Sequence, residues 1–178
     1  MLTDAQVAEF AERGFTLGPR IYSDDEADAL RERMMAVLEG RSRNKPELNR
    51  NLLGDRSPRV VHQIVNIWEA DDLFRRHIHN EAVCGMVAQL TGHPVVRVWH
   101  DQVQYKPPRV GGATDWHQDH PYWPIIQPPD LVSAWTALDD ATVENGCMWM
   151  VPGSHKWGAH KGGTIGTDPE AFDPLPDL

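Results

Sequence analysis

Cysteine is almost absent from this chain: Cys84 and Cys147 stand far apart in 178 residues and form no C-x-x-C pair. That excludes a disulfide framework, a thioredoxin-like motif and a cysteine-rich zinc site. Long apolar runs are missing too. No stretch approaches the ~20 residues that span a bilayer, and Met1-Leu2-Thr3-Asp4 has neither the basic nor the apolar region of a secretory leader. The expectation is a cytoplasmic protein with no membrane contact. Basic residues are outnumbered, 17 Lys and Arg against 26 Asp and Glu, for a net charge of −9. A surface of that sign disfavours nucleic acid and anionic lipid as partners. No internal repeat is present, and the length allows one domain with a core but is short for two.

What is present is ordered along the chain. Thr3 with Gln6, and Ser23 with Glu26, are capping boxes, each opening a helix. The first runs through Ala5, Val7, Ala8 and Phe10 to Gly14. The second carries Ala27, Leu30, Met34 and Leu38 on a stripe that stops at Gly40. Phe15–Leu17 reads as a short strand, and Arg41 to Pro58, rich in Arg and Asn, as a surface loop. Val60 to Trp68 is apolar enough for burial. Helices are predicted over Asp71–His77 and Glu81–Leu90, the latter with Val83, Met86, Val87 and Leu90 on one face. After Gly92-His93-Pro94 the pattern turns to strands, at Val95–Lys106, Leu131–Leu138 and Cys147–Val151, with Asn145-Gly146 as a hairpin turn that accepts positive φ at both positions. The fold class is α+β, helices first and antiparallel strands later, built on a sandwich or barrel. The tail beyond Gly162 has no periodicity.

Seven tryptophans are many for this length, and Trp99, Trp116, Trp123 and Trp135 surround the run Asp115-Trp116-His117-Gln118-Asp119-His120. On an extended backbone residues i and i+2 point the same way, so His117 and Asp119 can share one ion. An imidazole and a carboxylate are two of the three ligands of the facial triad that binds non-haem Fe(II) and keeps positions open. The blander reading is a polar strand edge with Asp119 bonded to a loop. Gln102, Gln104 and Lys106 share one face by period two, as polar residues on a solvated strand also would. Tyr122 and Trp123 follow the pair, where large aromatics serve either core or substrate. His120 points away from the His117–Asp119 face on the same alternation.

The sequence resembles the phytanoyl-CoA dioxygenase family of Fe(II)- and 2-oxoglutarate-dependent oxygenases. The matching pieces are Leu2-Thr3-Asp4 with Gly14-Phe15, Lys106-Pro107-Pro108, Trp116-His117-Gln118-Asp119, Ala134-Trp135-Thr136-Ala137-Leu138, and Asn145-Gly146-Cys147 through Val151-Pro152-Gly153-Ser154-His155-Lys156. The resemblance implies one domain over residues 1–178: helices over about 1–92, a double-stranded β-helix (jelly roll) over about 93–160, and an irregular tail at 161–178. It implies His117 and Asp119 as metal ligands, and Gln102, Gln104, Lys106 and Trp135 as cofactor-binding residues. Tyr122 and Trp123 fall at the substrate mouth, His62-Gln63 near the co-substrate, and His155 in a structural corner. The cofactors implied are Fe(II), 2-oxoglutarate as co-substrate and O₂, with ascorbate in support. The reaction implied is oxidative decarboxylation coupled to hydroxylation of a small molecule. Asp119 is the carboxylate that halogenating relatives replace by alanine or glycine, which favours hydroxylation here.

One departure from the family pattern stands out. Its distal iron-binding histidine and its carboxylate-clamping arginine follow the Pro-Gly-Ser-His turn, whereas no histidine follows His160 and Lys161 is the last basic residue. Three readings meet this: a fragment of a longer protein, a barrel completed by a partner chain, or a degenerate relative that binds ligand or partner without catalysis. A cupin-like Zn or Mn hydrolase or isomerase is a further rival, disfavoured by Trp135 and the Pro-Gly-Ser-His context.

Overall fold

The computed structural model describes residues 1–159; His160 and the tail at 161–178 lie outside the described residues. Both capping boxes form. Thr3 caps α1 (Asp4–Arg13), and Ser23 caps α2 (Asp24–Leu38), with Gln6 and Glu26 reaching back to the cap amides. Gly14 ends α1 in the left-handed region. The helix-forming signals downstream also hold, as α4 (Asp72–His77) capped by Asp71 and α5 (Glu81–Thr91) capped by Asn80. Just ahead of α4 a short helix, α3 (Ile67–Ala70), follows a left-handed Asn66. The apolar face predicted for α5 is only half buried, and Gln89 ties that helix to the start of the chain through two hydrogen bonds with the Leu2 backbone.

The strands depart from expectation. One antiparallel sheet of order β1-β2-β3 joins Leu48–Asn51, His62–Val65 and Gln102–Tyr105. β1 lies inside the segment expected to be a loop. Three of its four side chains are polar and most are exposed, so its strand character comes from backbone pairing with β2, with Leu48 opposite Val65 and Asn51 opposite His62. Conversely, only Gln102–Tyr105 of the expected strand Val95–Lys106 is paired. β2 is four residues long, and beyond Val65 the chain turns into α3, with Asn66 N–H donating to the Asp101 carbonyl at 2.9 Å. Among the described residues the ladder has no partner further back, and Val95 is 74% exposed.

Phe15–Leu17, Leu131–Leu138 and Cys147–Val151 were also expected as strands, and each is irregular. At Phe15–Leu17 the side chains of α1 take the place of a neighbouring strand. Thr16 donates to Glu9, Gln6 donates to the Leu17 carbonyl, and the Arg13 guanidinium lies 4.5 Å from the Phe15 ring centre. The turn at Asn145-Gly146 exists, but only Gly146 has positive φ. The Asn145 side chain shapes the turn instead, accepting from Thr142 N–H and donating to the Asp140 carbonyl.

The core joins α2 to one face of the sheet. Leu30, Met34 and Val37 of α2 bury against Ile64 of β2, Ile67 and Ala70 of α3 and Phe74 of α4. Val103, Tyr105 and Leu138 pack around them. In register Ile64 faces Val103, so the apolar parity of β2 and β3 is turned to the helices. The opposite parity is mainly polar: Arg50, Gln63 and Gln104 line up across the three strands beside the Leu48–Val65–Gln102 row, and Gln63 donates to Gln102 at 2.8 Å. The architecture is thus mixed helix and antiparallel sheet, with two of its three strands ahead of residue 92. Among the described residues no helix is long and apolar enough to cross a membrane.

Candidate metal centre

The loop that leads to His117 is pinned to the sheet end. Val60 N–H donates to the Val110 carbonyl and Gly112 N–H to the Val60 carbonyl, at 2.9 and 3.2 Å. Gly112 packs closely here: a β-carbon would displace the end of the Leu53 side chain. From this anchor the chain runs without regular structure to Asp119, then into the 3₁₀ turn His120–Tyr122.

His117 and Asp119 do converge, though not by strand alternation. Asp119 is helical in backbone, at φ −68° and ψ −45°, so the bend into the turn swings its carboxylate back toward the imidazole. Nε2 of His117 stands 3.5 Å from Oδ1 of Asp119. That exceeds the ~2.7–3.2 Å of a good hydrogen bond; the two face each other without closing. Two donors each ~2.1 Å from one first-row ion, at ~90–110°, lie about 3.0–3.4 Å apart. The observed gap is close to that spacing, and the residues fit a divalent metal.

The atoms turned away from the gap are engaged. Nδ1 of His117 is 2.7 Å from the Asp115 carbonyl. A carbonyl only accepts, so Nδ1 carries the proton and Nε2 of the neutral ring presents its lone pair to the gap. Ser133 donates to Oδ2 of Asp119 at 2.8 Å. Tyr122 sets its ring edge-on to the imidazole, with centroids 5.9 Å apart. Electrostatics follow the geometry. Asp119 beside it raises the His117 pKa against the opposing effect of burial, and His117 lowers that of Asp119 with help from Ser133. Burial, Asp115 and Asp119 all push the Tyr122 hydroxyl upward, so it stays a neutral phenol.

Five of the other residues expected at the site line one broad, open concavity, while Tyr122, His62 and Gln63 do not. Gln102, Gln104, Lys106, Trp123 and Trp135 line it together with His117 and Asp119. Gln102 and Gln104 project from the polar sheet face, and Trp135 is 58% exposed. Lys106 donates to the Gly146 carbonyl at 3.1 Å, stitching the end of β3 to the 143–146 turn, and burial lowers its pKa. Trp123 takes the His100 ring edge-on at 4.8 Å. His62 stacks on Tyr105, on the parity turned to the helices, while Gln63 joins the polar row. His120 donates to the Ile126 carbonyl, away from the pair, and His155 donates to the Ala11 carbonyl of α1. Among the described residues no group of three or more His, Cys, Asp or Glu is arranged to hold an ion.

Two contributors escape a reading of the sequence. The Asp115 carbonyl gives no signal, because backbone atoms carry none. Ser133 stands two residues before Trp135 and carries no signal of its own, since a lone serine points to no chemistry until its partner is known.

Comparisons with known proteins converge on one group. Residues 10–174 match the family model described as phytanoyl-CoA dioxygenase (PhyH). The chain is 33% identical over 161 residues to L-proline trans-4-hydroxylase of Streptomyces griseoviridis, covering 88% of this chain and 56% of that protein. It is 30% identical over 167 residues to the peroxisomal phytanoyl-CoA dioxygenase of Mus musculus, covering 88% and 48%. Over 199 residues it is 27% identical to phytanoyl-CoA dioxygenase domain-containing protein 1 of Danio rerio, covering 89% and 67%. Among solved structures it is similar to the non-haem alpha-ketoglutarate-dependent carbocyclase SnoK from nogalamycin biosynthesis, with a TM-score of 0.52 and 27% identity over 64% of this chain and 41% of that one. The chain therefore spans about half to two thirds of the length of these curated relatives.

Proposed function

Because the chain belongs to the phytanoyl-CoA dioxygenase family, we propose that it acts as an Fe(II)- and 2-oxoglutarate-dependent oxygenase that hydroxylates a small organic molecule. The observation that carries this reading is the gap between His117 Nε2 and Asp119 Oδ1, 3.5 Å wide, with the outer atoms of both side chains held from behind. The pair supplies two ligands of a facial triad. Ferrous iron there would supply the redox chemistry that couples O₂ and 2-oxoglutarate to oxidation of a substrate C–H bond, yielding succinate, CO₂ and the hydroxylated product.

The chain's own residues define the surroundings. The Asp115 carbonyl holds the imidazole in the tautomer a metal needs. Trp135 and Gln102 offer an apolar wall and an amide toward 2-oxoglutarate, with Gln104 and Lys106 beside them. Tyr122, a neutral phenol against His117, and Trp123 stand where a substrate would enter. The fold implied is a double-stranded β-helix of which β1–β3 are part; the likeness to SnoK supports it. Two cysteines outside any disulfide and the net acidic charge support a small-molecule enzyme of the cytoplasm.

The test is succinate release from 2-oxoglutarate with Fe(II), ascorbate and O₂, comparing wild type with His117→Ala. Wild type is expected to exceed the variant by at least ~10-fold. Equal background in both would sink the oxygenase reading and leave a chain that binds ligand without turnover. Anaerobic addition of Fe(II) and 2-oxoglutarate separates the remaining rival: a weak visible charge-transfer band is expected for the oxygenase and none for a Zn or Mn hydrolase.

A further inference from the structure

Asp119 has two oxygens, and the fold treats them differently. Oδ1 faces His117 Nε2, whereas Oδ2 accepts the hydroxyl proton of Ser133 at 2.8 Å. An ionised carboxylate only accepts, so the direction of this bond is fixed. Without a partner, rotation about the bond to the carboxylate is broad and nearly two-fold, and either oxygen or both can turn to an ion. We infer that Ser133 is a positioning residue for the metal centre, holding Asp119 by its outer oxygen so that Oδ1 alone is offered beside His117. The inference rests on the reading of His117 and Asp119 as metal ligands.

Its counterpart is the Asp115 carbonyl, which holds the imidazole from behind in the same sense. The two supports come from different places. Asp115 is local to the loop, while Ser133 lies fourteen residues beyond Asp119. The segment that carries it is itself fastened at its far end, where Arg31 of α2 donates to the Leu138 carbonyl and pairs with Asp139, at 2.7 and 2.8 Å. Trp135 stands between the two attachments. One length of chain thus sets the angle of a metal ligand and the position of the co-substrate wall, and α2 holds that length to the core.

Ser133 is solvent-exposed, and an exposed hydroxyl has water as an alternative partner. The inference therefore turns on whether metal binding depends on the hydroxyl. Co(II) is titrated into the full chain under nitrogen, with its visible absorption read for wild type, Ser133→Ala, Ser133→Thr and His117→Ala. Wild type binds, His117→Ala does not, and Ser133→Ala binds with a Kd raised ~10–100-fold, the usual effect of losing such a support. Ser133→Thr keeps the hydroxyl and stays within ~3-fold of wild type. Thermal midpoints of the metal-free wild type and Ser133→Ala are equal.

Equal Kd for wild type and Ser133→Ala overturns the role of Ser133 while leaving the metal site standing. A threonine variant as weak as the alanine variant also overturns it, since the loss then tracks backbone or packing. No binding by wild type sinks the metal site, and the role of Ser133 with it.

Discussion

A β-carbon on Gly14 would stand 2.8 Å from Cγ of His155, so the end of the first helix and the Pro-Gly-Ser-His turn fit together only if residue 14 has no side chain. The contact is reinforced on both sides of the glycine. His155 Nε2–H donates to the Ala11 carbonyl at 3.2 Å, and Gly153 N–H donates to the Arg13 carbonyl at 2.8 Å. The last carbonyls of a helix lack partners of their own; here a turn some 140 residues later supplies them.

Gly14→Ala is expected to lose at least ~1–2 kcal/mol from the left-handed backbone alone, at φ +86°. His155→Ala is expected to lose ~1 kcal/mol with its hydrogen bond. In the double variant the two costs add to less than their sum, because the collision is gone. Urea midpoints of the four proteins give the cycle, and full additivity would refute the contact.

Asp71 is buried with both oxygens in use. Oδ1 accepts from Leu73 N–H at the start of α4, and Oδ2 takes Arg33 of α2 at 2.7 Å. Asp71→Ala is expected to cost ~1–2 kcal/mol by loss of the cap. Asp71→Asn keeps an acceptor for the cap and loses the charge pair; its amide NH2 then faces the Arg33 guanidinium, which is largely exposed and can turn to water, so the further cost is about 1 kcal/mol or less. Chemical denaturation should therefore rank alanine below asparagine, and the reverse order would count against the capping role.

Asp101 gives stability a pH dependence. Burial pushes its carboxyl up to about 6, against partial compensation by the amides of Trp68 and Ile67, and its Oδ1 is buried without a hydrogen-bond partner. The neutral form is thus the one the fold prefers. Its contribution is fully present below the unfolded value of ~3.9 and is lost as pH rises through about 6. Asp101→Asn, neutral throughout, is expected to lose less of its urea midpoint between pH 4.5 and 7 than wild type does. Identical changes in both would refute this.

Metal affinity is expected to fall on acidification. Asp119 holds His117 above its ordinary value of ~6.5, and a metal requires the bare nitrogen. Mn(II) binding followed by electron paramagnetic resonance should weaken steadily from pH 8 to pH 6. A flat profile over that range would argue against His117 as a ligand.

Where the physics is local, the sequence is easy to read. Thr3 with Gln6 and Ser23 with Glu26 contain every atom of their caps within four residues, and both form as expected. The pair His117 and Asp119 is legible for the same reason, although its convergence comes from a bend and not from an extended backbone. β1 is illegible because Asn49, Arg50 and Asn51 have no strand preference; their conformation is imposed by hydrogen bonds to a partner eleven residues away or more. Leu131–Leu138 fails in the opposite direction. Its alternation predicts which side chains turn inward, and Leu138 does pack on the core, but a strand also needs a neighbour to bond. Ser133 is hidden by chemistry: a serine becomes informative only once the carboxylate beside it is known.

The joining of residues 11–14 to residues 153–155 has a consequence for synthesis. The ribosome adds roughly 5–20 residues per second, so the carbonyls of Ala11 and Arg13 wait on the order of ten to thirty seconds for their partners to emerge. Until then water must solvate them, as at any helix end without a cap partner. The end of α1 is thus closed only once the turn at residues 153–155 has been made.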